Sequence, residues 1–175
     1  MINIRKATKS DIKQIAEIYE HIHGEEACGR LTTGWIRGVY PVEQTAVDAI
    51  NRGDMYVCED ENNILASAII NQQQVDVYSE GNFIYEASDD EVMVIHTLTV
   101  DPNAAGRGIG SSFVEFYEDL ALAAGCTVVR LDTNEKNTGA RKLYSRLGYR
   151  EAGIVPCVFN GIPDVNLVVF EKRMK

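Results

Sequence analysis

The sequence is short of features that would place it in several common classes of protein. It contains no run of 18 apolar residues, so we expect no membrane-spanning helix. Its first residues, MINIRKATKSD, lack the apolar core of a secretory signal, so we expect no signal peptide. The 17 Lys and Arg residues are outnumbered by 26 Asp and Glu residues, and a net charge of −9 argues against a nucleic-acid partner, which requires a basic surface.

The sequence also lacks closely spaced pairs of cysteines. The cysteines at 28, 58, 126 and 157 include no C-x-x-C pair, which argues against a zinc site and against a disulfide framework. We therefore expect a cytoplasmic protein with reduced thiols and no metal. A length of 175 residues with 45% apolar content suits a single domain with a hydrophobic core over residues 1–175.

The stretch from Val92 to Ser112 is the most informative part of the chain. Residues 92–100 are almost all β-branched or apolar, which predicts a strand covered on both faces. Pro102 ends this strand, and a glycine-rich turn at 106–110 leads into a helical pattern of apolar residues. A buried strand, a glycine-rich turn and a helix start together form an anion site, because the free N–H groups of the first helical turn point at the ligand.

The kind of anion is not fixed by this turn alone. The third glycine comes one residue too early for the G-x-G-x-x-G fingerprint of dinucleotide-binding proteins. The turn has no lysine, so it does not match the phosphate-binding loop of nucleoside triphosphatases. A tight strand-to-helix turn without any ligand stays open as the alternative.

The remainder of the chain alternates helical and strand patterns. Strands are predicted at residues 2–5, 55–59, 64–70, 127–132, 150–159 and 165–171, and helices at residues 12–24, 41–53, 109–124 and 137–148. Loops over residues 60–63 and 160–164 are expected to close two hairpins. Strand 92–100, its helix and strand 127–132 form a βαβ unit, which predicts a parallel pair. Residues 71–91 give no clear pattern.

Two motifs around this βαβ unit resemble those of the GNAT superfamily, the acetyl-CoA-dependent N-acetyltransferases. The first, V-D-P-x-x-x-G-R-G-I-G, begins at Val100, and the second, N-x-x-A-x-x-L-Y-x-x-L-G-Y, begins at Asn137. The resemblance covers nearly the whole chain and implies a single-domain α/β (α+β) GNAT fold. In that fold about four helices flank a central mixed, mostly antiparallel sheet whose central parallel strands are splayed. The implied activity is that of an acyltransferase that moves the acetyl group of acetyl-CoA to an amine by direct attack, without an acyl-enzyme or a metal.

The resemblance also assigns residues to acetyl-CoA. In the family, pyrophosphate binds main-chain N–H groups of the glycine-rich turn, here residues 107–111, and the pantetheine arm pairs with the end of the preceding strand. Ala105 stands where the family usually has Arg or Gln, which removes one side-chain contact and leaves the main-chain groups in place. The implied cofactor-binding residues are Leu98, Thr99, Val100, Ala105, Gly106, Arg107, Gly108, Ile109, Gly110, Ser111, Asn137, Ala140 and Tyr144.

Two side chains are candidates for catalysis. Tyr144 matches the family tyrosine that protonates the leaving thiolate, whereas without the resemblance it would be interpreted as a core aromatic residue. His96 is the only titratable side chain on the central strand, and its usual pKa is near neutrality, so it is our candidate for the general base. A hydrogen-bonded core histidine is the alternative for His96. Further carboxylate candidates at strand ends are Asp90, Glu91 and Asp132.

The sequence does not identify the molecule that accepts the acetyl group. Segments 25–40, 71–91 and 158–164 are expected to form its pocket, and their acidic residues would attract a cation. We therefore expect a small amine, with a peptide or protein N-terminus and a non-catalytic acyl-CoA-binding regulatory module as the alternatives. Residues 165–170 could pair across a homodimer, as in many members of the family, or lie buried within one subunit. The acidic residues are Glu25, Glu26, Glu80, Glu86, Asp89, Asp90, Glu91 and Asp164.

Overall fold

The computed structural model describes residues 2–175 as a seven-stranded sheet with helices packed on both faces. The strands are β1 (Asn3–Lys6), β2 (Met55–Asp60), β3 (Asn63–Asn71), β4 (Val92–Val100), β5 (Val128–Asn134), β6 (Arg150–Phe159) and β7 (Ile162–Arg173). The α-helices are α1 (Ile12–Ala27), α2 (Glu43–Arg52), α3 (Ile109–Ala123) and α4 (Thr138–Arg146). Within the described residues, no helix combines the length and the apolar composition needed to cross a membrane.

The sheet has the strand order β1-β2-β3-β4-β5-β7-β6. Neighbouring strands are antiparallel except for β4 and β5, which are parallel and connected through α3. This arrangement confirms the predicted GNAT architecture, a mostly antiparallel sheet with a central parallel pair formed by a βαβ unit.

Strand β2 shows why the middle strands have continuous apolar runs. Met55 and Val57 are buried against α1 and α2, whereas Tyr56 and Cys58 are buried on the other face, in the cluster that includes α3. Successive residues of a strand point to opposite faces of the sheet. Because helices cover both faces, every one of these positions is apolar.

The two hairpin loops are shorter than predicted. β2 and β3 are joined by Glu61 and Asn62, and β6 and β7 by Asn160 and Gly161. These turn residues have φ angles of 50°, 70°, 47° and 85°, the left-handed conformation that closes a two-residue hairpin with the twist of the sheet. At the first turn the strands extend into the polar residues Asp60 and Asn63, and at the second turn β7 begins at Ile162, three residues before the predicted strand.

The first two helices differ from the prediction at one end each. α1 continues through Gly24, its predicted end, to Ala27, and α2 begins at Glu43 rather than at Pro41. Gly24 does not adopt the positive φ of a helix-ending glycine, so nothing stops the helix there. Gly53, with a φ of 80°, ends α2 as predicted.

Residues 72–91, here called the 72–91 segment, add no strand to the sheet. The segment contains two short 3-10 helices, Asp76–Glu80 and Asp89–Glu91. The main-chain N–H groups of Ile84 and Tyr85 donate to the carboxylate of Glu171 at 2.9 and 3.3 Å. Glu171 is fully buried in β7, so these bonds help to satisfy a charge inside the protein and at the same time hold the segment against the sheet.

Candidate active site

The candidate site surrounds the point where β4 and β5 separate. The two strands pair only over residues 92–94 and 128–130. Beyond this point β4 stays paired with β3 and β5 with β7, so a gap opens between them. The buried Tyr117 stands at the fork, with its hydroxyl 2.7 Å from the carbonyl oxygen of Met93 and 3.0 Å from that of Arg130. One side chain of α3 thus contacts both strands where the gap begins.

Strand β4 has a bulge next to this gap. The register with β3 shifts, so that a single β3 residue lies opposite both Thr97 and Leu98. Thr97 has a φ of 51°, and its hydroxyl is hydrogen-bonded to that of Tyr40 from the loop after α1. A bulge interrupts the ladder and leaves main-chain polar groups unpaired. The bulge therefore offers such groups to a ligand in the gap.

A cavity of about 170 Å³, here called the gap cavity, lies between the separated strands. Its walls are the end of β4 on one side and, on the other, the end of β5 with the start of α4. Residues 31–35 of the loop after α1 also line it. The structure brings together here six residues that the sequence assigned to the cofactor, namely Leu98, Thr99, Val100, Asn137, Ala140 and Tyr144.

The glycine-rich turn before α3 presents a row of main-chain donors. No N–H group of residues 106–111 donates a main-chain hydrogen bond within residues 2–175, whereas the next one, of Ser112, donates to the carbonyl oxygen of Gly108 at 3.1 Å. Gly106 and Gly108 have φ angles of 79° and 75°, and a Cβ atom at either position would meet no atom within 4 Å. The turn has the free donors and the open space that a phosphate requires.

Two arginine side chains lie near this turn. Nη2 of Arg107 is 2.9 Å from Oδ2 of Asp60, so its charge is partly neutralised by β2. Nη2 of Arg146, at the end of α4, is 3.4 Å from Oγ of Ser111. The sequence did not reveal Arg146, because it reaches the turn only through the packing of α4 against α3. Ala105 is exposed beside the turn.

Asn137 has a structural contact in addition to its place in the gap cavity. It is the N-cap of α4, and its Oδ1 accepts a hydrogen bond from the N–H of Ala140 at 3.2 Å. The cap holds the side chain at the cavity wall and leaves its Nδ2 hydrogens for a ligand.

Tyr144 lines the gap cavity from α4. Its ring packs edge to face against those of Tyr149 and Phe170, which fixes its position. Burial raises the pKa of the Tyr144 hydroxyl above its usual range, and the nearby charge of Asp132 acts in the same direction. The hydroxyl therefore stays protonated at neutral pH and can serve as a proton donor.

A second cavity of about 760 Å³, here called the outer cavity, adjoins the first. Its walls come from α2, the end of β3, residues 73 and 75–77, and residues 157–160. Among the described residues, only Thr97, Asp132 and Phe159 line both cavities, so the cavities meet there.

His96, the candidate base from the sequence, lines the outer cavity but not the gap cavity. Its Nε2 is 2.9 Å from Oδ1 of Asn71. Burial lowers the pKa of the His96 imidazole to about 4, so the ring is neutral at pH 7.

Asp132, which the sequence marked only as one of several strand-end carboxylates, lies where the cavities meet. The hydroxyl of Tyr78 donates to its Oδ2 at 2.7 Å. Burial raises the pKa of the Asp132 carboxyl to about 6, and the hydrogen bond from Tyr78 acts in the opposite direction. Tyr78 escaped the sequence analysis because the 72–91 segment has no periodic pattern.

The charged residues of the outer cavity differ from those predicted. Asp48, Asp76 and Asp132 line it, together with Arg52. Of the predicted acidic residues none lines either cavity, and that part of the prediction is wrong. Glu26, for example, lies at the end of α1 and accepts hydrogen bonds from the main-chain N–H groups of Thr33 and Gly34 in the following loop. The position of α2 over this cavity depends on tertiary packing, which its local sequence does not specify.

Comparison with known sequences gives a family. The sequence model of the acetyltransferase (GNAT) family matches residues 15–149. An uncharacterised N-acetyltransferase of Methanocaldococcus jannaschii is 28% identical over 154 residues, which are 87% of this chain and 62% of that protein. The streptothricin acetyltransferase of Escherichia coli is 28% identical over 107 residues, 61% of this chain and 59% of that protein. The chain thus spans about three fifths of the length of these curated relatives.

Solved structures share the fold. A GNAT-family acetyltransferase from Streptococcus agalactiae has a TM-score of 0.81 at 23% identity and covers 99% of this chain and 96% of its own. An acetyltransferase structure from Salmonella typhimurium that contains its cofactor acetyl-CoA has a TM-score of 0.70 at 17% identity, with 99% and 94% covered. At these identities the likeness shows the fold alone.

Proposed function

This chain belongs to the acetyltransferase (GNAT) family, and we propose that it transfers the acetyl group of acetyl-CoA to a primary amine of a small molecule. The observation that carries the proposal is the meeting of two cavities beside the fork between β4 and β5. One is lined by residues that match the family's acetyl-CoA motifs, and the other is larger and lined by carboxylates. A thioester in the first and an amine in the second would come together at Thr97, Asp132 and Phe159.

The residues of this chain fit acetyl-CoA in two places. The free N–H groups of residues 106–111, with Arg146 beside them, suit a pyrophosphate. The edge of β4 beyond Val94 has lost its β5 partner, so its main-chain groups can pair with the amides of a pantetheine arm as they would with an added strand.

Acetyl transfer requires a polarised thioester carbonyl and a proton for the leaving thiolate. We assign the first role to main-chain N–H groups near Leu98 or Val100, because donors fixed in position stabilise a developing oxyanion. We assign the second role to Tyr144, whose protonated hydroxyl lines the gap cavity.

The general base is the remaining role. His96 stays a prediction for it, since the neutral ring in the outer cavity has a lone pair that can accept a proton. Its lowered pKa makes it a weak base, because an alkylammonium acceptor has a pKa of about 10.

A small cationic amine suits the outer cavity. Its volume of about 760 Å³ lies in the range of about 300–1,000 Å³ that is usual for small-molecule sites. Arg52 is paired with Asp54, with 3.0 Å between Nε and Oδ2, so the carboxylates of the cavity dominate its charge and attract cations. The similarity to a protein named streptothricin acetyltransferase supports a small-molecule acceptor.

The first experiment is a calorimetric titration of the purified protein with acetyl-CoA, coenzyme A and ATP. We expect binding of the first two and none of ATP. Absence of acetyl-CoA binding would contradict the proposal and would show that Ala105 and the open turn no longer hold a pyrophosphate.

The second experiment measures release of the coenzyme A thiol with lysine, spermidine and kanamycin, and with a peptide that has a free N-terminus. We expect turnover with at least one of the small amines. Turnover with the peptide alone would assign the enzyme to protein N-termini, and binding of acetyl-CoA without any turnover would indicate a regulatory acyl-CoA-binding module.

A further inference from the structure

The place where the two cavities meet contains one titratable side chain. Of the three residues that line both cavities, Thr97 and Phe159 have no side-chain group that acts as a base at neutral pH, whereas Asp132 has a carboxylate. An amine in the outer cavity that approaches a thioester held in the gap cavity would come close to this carboxylate. His96, by contrast, lines the outer cavity alone.

One oxygen of Asp132 is held by the protein and the other is available. Oδ2 accepts the hydrogen bond from Tyr78 at 2.7 Å. Tyr78 is 3% exposed, and its ring packs against that of Phe83, so the donor is fixed. Oδ1 accepts no hydrogen bond from any residue between 2 and 175, so it remains available to a ligand donor.

Among residues 2–175, no cationic side chain acts on the Asp132 carboxylate. The titratable groups that face it are Tyr40 from the loop after α1, Tyr78 from the 72–91 segment, Tyr144 from α4 and Cys157 from β6. None of these is a cation, and Arg52 of the outer cavity is paired with Asp54. A partly buried carboxylate without a cationic partner is unfavourable. An ammonium group on the acceptor would supply that partner.

Asp132 and His96 also differ in their strength as a general base. With a pKa raised to about 6, the Asp132 carboxylate is mostly ionised at pH 7 and binds a proton more strongly than His96, whose pKa is lowered to about 4. Proton transfer from an ammonium is more favourable to the stronger base.

We propose that Asp132 binds the ammonium group of the acceptor where the cavities meet and accepts its proton, while Tyr78 holds the carboxylate in position. The inference rests on the proposed acetyl transfer and names Asp132, in place of His96, as the catalytic base. It also specifies the acceptor class: amines that are cationic at neutral pH, such as alkylamines, in preference to arylamines.

Acetyl transfer assigned in this way needs a proton acceptor at the amine and a proton donor at the leaving sulfur. The ammonium gives one proton to Asp132, and its nitrogen then forms a bond to the thioester carbonyl carbon. The carbon–sulfur bond breaks, and Tyr144 gives its hydroxyl proton to the leaving thiolate. The attacking nitrogen returns a proton to the Tyr144 oxygen, and Asp132 releases its own proton to solvent. The products are the amide, the coenzyme A thiol and one proton.

The test is the pH dependence of kcat/KM with whichever of lysine, spermidine and kanamycin the enzyme acetylates. Asp132→Asn should lower kcat/KM by about 10²–10⁴-fold and remove the acidic limb of the profile. Tyr78→Phe should shift that limb to higher pH, because the hydrogen bond that lowers the pKa of the carboxyl is lost. His96→Gln should keep the limb. Asp119→Asn, at an exposed position of α3 that lines neither cavity, is the control.

A second readout does not depend on turnover. In protein with ¹³C-labelled aspartate carboxyl groups, the signal that disappears in Asp132→Asn should titrate above the usual Asp value of about 3.9, and at still higher pH in Tyr78→Phe. The affinity of Asp132→Asn for acetyl-CoA should stay within about threefold of the wild type, a difference of under about 0.7 kcal/mol.

Several outcomes would overturn the inference: an acidic limb that persists in Asp132→Asn, a limb lost in His96→Gln, or an Asp132 signal that titrates at the ordinary value. In each case the wild type is still an active acetyltransferase. Failure of the proposed function is distinct, because the wild type would then acetylate none of the amines.

Discussion

The hydroxyl of Tyr117 lies 2.7 Å from the carbonyl oxygen of Met93, at the point where β4 leaves β5. The same hydroxyl is 3.0 Å from the carbonyl oxygen of Arg130 on the other strand. Helix α3 therefore has two parts in the proposed site: its first turn presents free main-chain donors, and Tyr117 in its middle lies where the gap between β4 and β5 begins.

Replacing Tyr117 by Phe is expected to lower the free energy of unfolding by about 1–3 kcal/mol, because two buried carbonyl oxygens lose a donor. Urea denaturation measures the change. Tyr19→Phe is the matched control, since Tyr19 is also buried but its hydroxyl makes no hydrogen bond of normal geometry within residues 2–175. The control should lose less stability than Tyr117→Phe, because the substitution removes no well-formed hydrogen bond. Equal losses in the two variants would contradict a role for the contact at the fork.

Gly108→Ala is expected to weaken acetyl-CoA binding by about tenfold or more, about 1.4 kcal/mol, because the new methyl group enters the space beside the free N–H groups. Gly53→Ala is the control: both glycines have positive φ angles, 75° and 80°, and neither position has a neighbour within 4 Å of an added Cβ. Both variants should therefore lose similar stability through backbone strain. Calorimetry should show a reduced affinity for acetyl-CoA only in Gly108→Ala. An unchanged affinity in both variants would argue against a phosphate at the turn.

Tyr144→Phe is expected to lower kcat by about 10²–10⁴-fold and to leave acetyl-CoA affinity nearly unchanged, because only the proton donor is removed. Tyr149→Phe is the control, since its ring packs against Tyr144 but it does not line the gap cavity. Steady-state kinetics and calorimetry together separate the two effects. A parallel loss of kcat and affinity in Tyr144→Phe would instead indicate a packing role.

Ala105→Arg is expected to tighten acetyl-CoA binding by about 3–10-fold at low salt, since it adds a cation beside the turn. The gain should shrink as the salt concentration rises. Ala124→Arg adds the same charge at the opposite end of α3 and should have little effect. An equal gain in both variants would indicate a general effect of net charge on this acidic protein.

Asp132→Asn is expected to raise the free energy of unfolding at pH 8 and to change it little near pH 4. Burial raises the pKa of the carboxyl to about 6 in the folded protein, whereas an unfolded Asp has a pKa of about 3.9. The folded state therefore binds more protons between these values, and wild-type stability falls by about 1–3 kcal/mol as the pH rises through this range.

Urea denaturation at several pH values measures this dependence. Asp119→Asn, at an exposed position, keeps Asp132 and should therefore show the same fall in stability with rising pH as the wild type. A stability difference between Asp132→Asn and the wild type that is the same at pH 4 and pH 8 would contradict the raised pKa.

Strand β4 shows which features the sequence could predict. Its bounds, Val92–Val100, follow from a local apolar run and from Pro102, and the parallel pair follows from the helix that connects β4 to β5. The residues assigned to the cofactor lie at the end of β4, at 98–100, and in two short motifs, at 105–111 and 137–144. Local patterns and motifs of this kind can be recognised without knowing how distant segments pack against each other.

The outer cavity shows which features could not be predicted. Asp48 and Arg52 reach it from α2, and Tyr78 reaches Asp132 across 54 residues of sequence. Both placements depend on how a helix and a non-periodic segment pack against the sheet. Local spacing contains no information on that packing, so the acidic residues chosen from loop composition were the wrong ones.

The 72–91 segment forms part of the outer cavity without contributing a strand to the sheet. Contacts such as those between Glu171 and the N–H groups of Ile84 and Tyr85 attach it, rather than a strand ladder. Its length and composition can therefore change without moving the register of any strand pair, as long as Tyr78 keeps its place. Under the proposed function, changes in this segment would alter the choice of acceptor and leave the residues proposed for acetyl-CoA unchanged.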